Sequence, residues 1–87
     1  MNFEWDPAKN EEVQRDHDIS FEEVVTLIGR GHLLKTMSNP GSKYKGQKIF
    51  LVRKGKAIYM VPFERREGKY RLITAFFSQF FTDKYSR

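Results

Sequence analysis

The sequence predicts a single α+β domain over residues 1–87, in which two N-terminal helices lie on one face of a twisted antiparallel sheet. A helical capping pattern and an apolar repeat of helical period occur in the first third of the chain. Short apolar runs separated by tight turns follow, as is typical of strands in a sheet. A chain of 87 residues with 39% hydrophobic and 15% aromatic residues provides one small core.

A short strand and a polar helix are predicted at the N-terminus. Residues 2–5 alternate polar and aromatic side chains, which indicates a strand. Asp6 is suited to cap a helix, and Pro7 to occupy its first position, where the missing N–H costs nothing. We therefore expect a helix from about Pro7 to Asp16, largely exposed because few of its residues are apolar.

The second predicted helix begins at a capping box. In Ser20-Phe21-Glu22-Glu23 the serine hydroxyl and the last glutamate can satisfy free backbone N–H groups at the helix start. Apolar residues then recur at i, i+3, i+4 and i+7, which gives the helix one apolar face. These residues are Phe21, Val24, Val25 and Ile28. Gly29 and Gly31 provide the C-terminal stop.

The rest of the chain predicts four strands and a final helical turn. The strands are expected at residues 32–37, 49–52, 57–61 and 70–77, with a loop at 38–46, tight turns within 53–56 and 64–69, and the helical turn within 78–85. Pro62 is expected to end or bulge the third of these strands, because proline donates no ladder hydrogen bond. The order β-α-α-β-β-β-β is that of an α+β domain, and the sheet face opposite the helices would be concave and basic.

Charge is distributed unevenly along the chain. Residues 1–29 contain eight acidic and two basic residues, a balance of −6, whereas residues 30–87 contain fourteen basic and three acidic residues, a balance of +11. Such a field attracts polyanions to one surface and repels them from another. We therefore expect RNA as a partner, with the alternative that the basic residues simply keep a small domain soluble.

The composition argues against several classes of chemistry. The chain has no cysteine, hence no disulfide, no thiolate metal site and no cysteine nucleophile. Its two histidines, His17 and His32, lie fifteen residues apart without a surrounding carboxylate pattern, so no metal and no cofactor are expected. No apolar stretch approaches the ~20 residues that cross a bilayer, and the N-terminus lacks the pattern of a signal peptide. We expect a cytoplasmic protein with no membrane partner.

Basic and aromatic residues are interleaved in the second part of the chain. The expected phosphate contacts are Lys43, Lys45, Lys48, Arg65 and Arg66. Aromatic rings beside cations suit stacking on unpaired bases. The interleaved rings are those of Tyr44, Tyr59 and Tyr70, although for Tyr59 core packing is the simpler interpretation.

His17 is the candidate acid–base group beyond the carboxylates, and it lies between Asp16 and Asp18. A histidine at a helix end can equally be structural. No Ser-His-Asp arrangement, phosphate-binding loop or paired-carboxylate spacing is visible. An enzyme with this sequence would therefore act through cations and hydrogen-bond donors around a phosphate.

Several segments together form a pattern found in one family. They are FEWDPxK at residues 3–9, HxISFEE at 17–23, QKIFLV at 47–52, YMVPF at 59–63, Thr74, and TxKY at 82–85. In these segments the chain resembles BrnT-type toxins over most of its length. The resemblance implies a RelE-like fold and a ribonuclease toxin of a type II toxin–antitoxin system, which cuts RNA, inhibits translation and is neutralised by a cognate antitoxin.

The candidate residues above and the resemblance together give the residues expected to act. RelE-like enzymes use basic and polar side chains to position the ribose 2′-OH against the phosphate. The expected catalytic residues are His17, Arg65, Arg66 and Gln79. The expected RNA-binding residues are Lys43, Lys45, Lys48, Lys84 and Tyr85. The expected antitoxin-binding residues are Phe76, Phe77, Phe80 and Phe81.

One segment departs from the family pattern. Family members usually carry an Arg-Lys pair after the last strand, where this chain has Gln79 and Phe80. Loss of a group that stabilises the developing negative charge typically costs about 10²–10³ in rate, so activity would be slow, absent or dependent on Arg65 and Arg66. One alternative is a catalytically degraded toxin-fold protein that acts as an RNA-binding or protein-interaction module. Another is a small RNA-binding barrel with an N-terminal helix.

Overall fold

The computed structural model describes residues 1–38 and 47–86. In chain order its elements are β1 (Phe3–Glu4), α1 (Pro7–His17), α2 (Phe21–Gly29), β2 (Leu33–Ser38), β3 (Lys48–Lys54), β4 (Ala57–Arg66), β5 (Lys69–Leu72), β6 (Phe76–Phe77) and α3 (Gln79–Lys84). The predicted α+β class is confirmed. Most of the predicted loop, residues 39–46, lies outside the described residues.

Side-chain caps begin both N-terminal helices. Oδ1 of Asp6 accepts a 2.9 Å hydrogen bond from the N–H of Ala8 at the start of α1. The hydroxyl of Ser20 accepts a 3.0 Å hydrogen bond from the N–H of Glu23 at the start of α2. The Glu23 carboxylate is engaged elsewhere, because it accepts a 3.3 Å hydrogen bond from Nζ of Lys54. The serine half of the predicted capping box is therefore formed, and the glutamate instead joins α2 to β3.

The described strands form one sheet in the order β1-β5-β4-β3-β2, with β6 beside β4. All pairs are antiparallel except β1 with β5, which are parallel. The sheet is therefore mixed, and this modifies the prediction of an antiparallel sheet, because β1 adds to the outer edge of β5 from the N-terminus. The outer strands β1 and β2 do not pair with each other in the described part of the chain, so the sheet is not closed into the barrel considered as an alternative.

The prediction that Pro62 ends or bulges its strand is wrong. Strand β4 continues through it to Arg66, and Pro62 pairs in register with Ile49 of β3. On its other edge the Pro62 carbonyl accepts a 2.9 Å hydrogen bond from the N–H of Ile73, but Pro62 has no N–H to donate in return. The ladder is interrupted there, and the single strand predicted over residues 70–77 is divided into β5 and β6.

Each face of the sheet carries part of the core. On the first, which we call the helix face, residues from α1 and α2 pack against Phe50, Val52, Tyr59, Val61 and Phe63. On the second, which we call the α3 face, Phe81 and Tyr85 pack against Ile49, Leu51 and Ile58. The α3 face is therefore apolar and partly covered at its centre, rather than basic throughout as the sequence predicted.

Candidate nucleic-acid interface

A pocket of about 200 Å³ opens at one end of the helix face. Its described lining consists of Met1, Leu33, Thr36, Lys48, Phe50, Phe63, Arg65 and Tyr70, and none of these belongs to α1 or α2. We call it the Lys48–Arg65 pocket after its two cations. It lies beyond the part of the helix face that the two N-terminal helices cover.

Strand register brings the two cations together. Lys48 at the start of β3 pairs with Phe63 of β4, and Arg65 follows Phe63 by two residues. Because side chains alternate between sheet faces, Lys48, Phe63 and Arg65 all point to the helix face. Lys48 and Arg65 are thus diagonal neighbours, with backbones about 7–8 Å apart.

The floor of the pocket is aromatic. The rings of Phe50 and Phe63 stack with centroids 3.8 Å apart and planes 7° from parallel. The Tyr70 ring lies 5.6 Å from that of Phe63 and 5.8 Å from that of Phe50. Phe50 and Phe63 are each only 2% exposed, so they belong to the core beneath the pocket, and the half-buried Tyr70 is the ring that a ligand can reach.

Tyr70 orients Arg65 at the wall of the pocket. The guanidinium carbon of Arg65 lies 4.1 Å from the centroid of the Tyr70 ring, and one guanidinium nitrogen donates a 3.4 Å hydrogen bond to the carbonyl of Gly68. The remaining donors of the guanidinium are left for a ligand. The whole side chain stays exposed.

The two cations of the pocket have no carboxylate partner, unlike several other basic residues of the described chain. Within the described residues, no carboxylate oxygen lies within 4.0 Å of Lys48 or Arg65. Lys69 and Arg71, by contrast, both contact Glu4, and Lys54 contacts Glu23. The positive charge of this pocket is therefore available to an anionic ligand.

The four expected catalytic residues do not form one site. Arg66 follows Arg65 directly and so points to the opposite sheet face. His17 lies at the end of α1, with its ring 6.4 Å from that of Phe76. Phe76 pairs with Met60, which precedes Arg65 by five residues in β4. Five residues of a strand span about 17 Å, so His17 lies far from the pocket.

Gln79 also lies away from the pocket. It is the first residue of α3, and the preceding residue, Ser78, donates a 2.9 Å backbone hydrogen bond to the carbonyl of Ile58. The Gln79 side-chain amide donates a 2.8 Å hydrogen bond to Asp83 on the exposed side of α3. Of the four expected catalytic residues, only Arg65 lines the Lys48–Arg65 pocket.

The expected RNA-binding residues are also distributed over more than one surface. Lys48 lines the pocket, whereas Lys43 and Lys45 lie outside the described residues. Lys84 is exposed at the end of α3. Tyr85 packs against the apolar cluster of the α3 face, and its carbonyl accepts a 3.5 Å hydrogen bond from Arg53. The structure therefore gives Tyr85 a packing role at a distance from the pocket.

The four phenylalanines expected at a partner interface differ in exposure. Phe77 is 43% exposed and Phe80 is 70% exposed. Phe76 is half-buried beside His17. Phe81 is half-buried and fixes α3 to the sheet, with its ring 5.1 Å from that of Phe80. The pair Phe77 and Phe80 is therefore the part of this set that a partner can reach.

Sequence reasoning missed five lining residues, which are Met1, Leu33, Thr36, Phe50 and Phe63. The alternation of side chains would place Lys48 with Phe50 on one face, and Phe63 with Arg65 on one face. That signal does not say which residues of the two strands lie opposite each other, because register depends on the turn that joins them.

The described residues contain no group of three or more histidine, cysteine, aspartate or glutamate residues arranged to hold a metal ion. Across the same ranges no helix is long and apolar enough to span a membrane. Comparison of the chain with protein-family models, with curated proteins and with solved structures finds no match.

Proposed function

We propose that this protein is a ribonuclease toxin of a type II toxin–antitoxin system, similar to BrnT-type toxins. It would act on RNA in the cytoplasm, inhibit translation and be neutralised by a cognate antitoxin. The observation that carries the proposal is the Lys48–Arg65 pocket, in which two cations without carboxylate partners overlie an aromatic floor. The α+β architecture and the basic second part of the chain agree with it.

RNA cleavage in this pocket would use the substrate's own nucleophile. The ribose 2′-oxygen attacks phosphorus while the bond from phosphorus to the 5′-oxygen breaks, which leaves a 2′,3′-cyclic phosphate and a 5′-hydroxyl. The 2′-OH gives up its proton, and the departing 5′-oxygen takes one up. Lys48 and Arg65 would hold the non-bridging phosphate oxygens and stabilise the charge that develops on them.

The pocket is less well equipped for proton transfer than for holding the phosphate. The described lining of the pocket contains no histidine, aspartate or glutamate. Lys48 and Tyr70 are the lining residues that can exchange a proton, and without a histidine or carboxylate part of the general acid–base contribution of about 10²–10⁴ in rate would be missing. We therefore expect slow cleavage compared with a site that holds a positioned acid and base.

A second function is favoured by Gln79. Where family members usually carry the first of two cations, this chain has an amide bonded to Asp83. The second candidate is therefore a catalytically degraded toxin-fold protein that binds RNA or a protein partner without cutting RNA. Both candidate functions use the Lys48–Arg65 pocket, and they differ in whether the bound RNA is cut.

Controlled expression tests the toxin proposal. We expect induction of the wild-type chain to arrest growth and to lower the incorporation of labelled amino acids into protein. The Lys48→Gln/Arg65→Gln double variant should relieve both effects, whereas Arg66→Gln, which changes a neighbouring arginine on the other sheet face, should not. Normal growth at high levels of intact wild-type protein would contradict an active toxin.

A cleavage assay separates the two candidates. Purified wild-type protein is incubated with labelled RNA, and both the bound fraction and the cut fraction are measured. Cuts that end in 2′,3′-cyclic phosphate support the nuclease, and binding without cuts supports the degraded toxin. The Gln79→Arg/Phe80→Lys variant is tested in the same assay, with and without the added change Lys48→Gln. If this variant cuts RNA and Lys48→Gln does not abolish the cutting, the active centre lies at α3 and not in the pocket.

A further inference from the structure

We propose that the Lys48–Arg65 pocket binds one unpaired nucleotide, with the base against the apolar lining around Tyr70 and the phosphate between Lys48 and Arg65. The pocket combines two chemistries that a simpler ligand would not need together. An inorganic anion would make no use of the half-buried apolar lining of Leu33 and Tyr70. A neutral apolar ligand would form no ion pair with the two cations, which have no carboxylate partners. A planar ring that carries a phosphate uses both.

The size of the pocket limits the ligand to one ring system. Its volume of about 200 Å³ is below the ~300–1,000 Å³ typical of pockets for drug-sized molecules. The two cations project from backbone positions about 7–8 Å apart, so their flexible stems can converge on opposite sides of one phosphate. Thr36 adds a hydroxyl at the same pocket, which can both donate to and accept from a base edge.

The orientation of Arg65 favours a base that has left its stack. Tyr70 lies against one side of the guanidinium, at 4.1 Å, and unpaired bases stack on guanidinium planes and on aromatic rings. A base within a duplex presents only its edges and must be unpaired and unstacked to enter a pocket. Single-stranded RNA should therefore bind at least about tenfold more tightly than a duplex of equal length.

This inference rests on the proposed function only in naming RNA as the natural source of the nucleotide. Nucleotide binding does not require cleavage, although the proposed cleavage takes place in the same pocket. Binding of nucleotides without any cut RNA would overturn the nuclease and leave the inference standing. Cleavage of single strands that is unchanged in Arg65→Gln would overturn the inference and would show a nuclease whose active centre lies outside this pocket.

Titration of the purified full chain tests the site directly. The probes are uridine 3′-monophosphate, adenosine 3′-monophosphate, the two free nucleosides and inorganic phosphate, each followed by amide chemical shifts in NMR spectra. We expect the nucleotides to shift amides near Lys48 and Arg65, and to bind at least about tenfold more tightly than phosphate or nucleoside alone. Equal affinity for nucleotide and phosphate, or shifts confined to other residues, would overturn the proposal.

The neighbouring arginines supply a matched control. Arg65→Gln and Lys48→Gln should each weaken nucleotide binding about tenfold or more, because each removes a charged hydrogen-bond donor. Arg66→Gln removes the same charge from the opposite sheet face and should leave the affinity within about twofold of wild type. If Arg66→Gln weakens binding as much as Arg65→Gln, the binding is a property of the overall charge, and the pocket is not the site.

Labelled oligonucleotides test the preference for unpaired bases. Fluorescence anisotropy compares a single-stranded RNA with a duplex RNA of the same length at one salt concentration. The expected preference for the single strand should fall in Arg65→Gln and persist in Arg66→Gln. Equal binding of both forms by wild-type protein would contradict a pocket for one unpaired base. Thermal unfolding of each variant confirms that it is folded.

Discussion

Oδ1 of Asn10 in α1 accepts a 2.8 Å hydrogen bond from the backbone N–H of Phe21, the first residue of α2. The same amide donates a 2.6 Å hydrogen bond to Glu22. Asn10 is only 6% exposed, although it lies in a polar helix. Its buried side chain satisfies an N–H that α2 cannot satisfy internally, and so fixes the two N-terminal helices to each other.

Asn10→Ala should therefore destabilise the protein. The change leaves the N–H of Phe21 without its partner in a buried position, which costs about 1–3 kcal/mol in free energy of unfolding. Gln14→Ala removes an amide from the same helix, one turn further on, at an exposed position, and should cost less than about 0.5 kcal/mol. Urea unfolding measures both. Equal effects of the two changes would show that the buried hydrogen bond does not stabilise the fold.

The turn between β4 and β5 can be improved. Glu67 and Gly68 both have positive φ, 51° and 79°, which is the pattern of a type I′ hairpin turn. A left-handed conformation costs an ordinary side chain about 1–2 kcal/mol, and asparagine less. Glu67→Asn should raise the free energy of unfolding by about 0.5–1 kcal/mol.

The other tight hairpin provides the control. In the turn between β3 and β4, Gly55 has a φ of 61° and Lys56 is not among the described residues of positive φ. Lys56→Asn introduces asparagine without relieving strain, so thermal and urea unfolding should show no stabilisation. A gain equal to that of Glu67→Asn would mean that asparagine stabilises these turns for a reason other than the relief of a positive φ.

Neighbouring phenylalanines in α3 should respond differently to truncation. Phe81 packs against Ile49, Leu51 and Ile58, whereas Phe80 is 70% exposed. Phe81→Ala should lower the free energy of unfolding by about 1–3 kcal/mol, less than the ~3–5 kcal/mol of a fully buried phenylalanine. Phe80→Ala should change it by less than about 0.5 kcal/mol. Similar losses in urea unfolding would contradict the observed docking of α3.

Local patterns could be predicted from the sequence, whereas features that depend on strand pairing could not. The caps at Asp6 and Ser20 and the apolar period of α2 depend on residues a few positions apart, and the structure contains them as expected. The interruption between β5 and β6 depends on Pro62, which lies eleven residues before its partner Ile73. Because Pro62 has no N–H, the hydrogen-bond ladder between β4 and the following segment is interrupted. The position of that interruption follows only from the register of the two strands.

The same limit applies to the candidate site. Lys48 and Arg65 were each expected to contact RNA, but their convergence depends on the pairing of Lys48 with Phe63. A shift of one residue in that pairing would move one of the cations to the opposite sheet face relative to the other. The residues themselves and the family resemblance together give His17, Arg65 and Gln79 as catalytic candidates, but the sheet places His17 and Gln79 toward the opposite end of β4 from Arg65.

Two surfaces should act on different rates if an antitoxin binds this chain. Charge steers association, so Arg65→Glu/Arg66→Glu should lower the association rate about tenfold at low salt and reduce its salt dependence. The measurement is surface plasmon resonance at several salt concentrations, with the product of the neighbouring reading frame as the candidate antitoxin. Lys69→Gln/Arg71→Gln serves as a control in which the cations lost already contact Glu4, and it should have a smaller effect.

The exposed rings should instead control how long the complex lasts. Phe77 and Phe80 are 43% and 70% exposed, and burial of such rings by a partner slows dissociation. Phe77→Ser/Phe80→Ser should raise the dissociation rate about tenfold or more and change association little. Phe81→Ser is not an equivalent test, because Phe81 holds α3 on the sheet and its loss alters the fold as well as the surface. If neither the arginine pair nor the phenylalanine pair changes the kinetics, the antitoxin docks elsewhere, and the acidic surface of α1 and α2 is then the remaining large charged face.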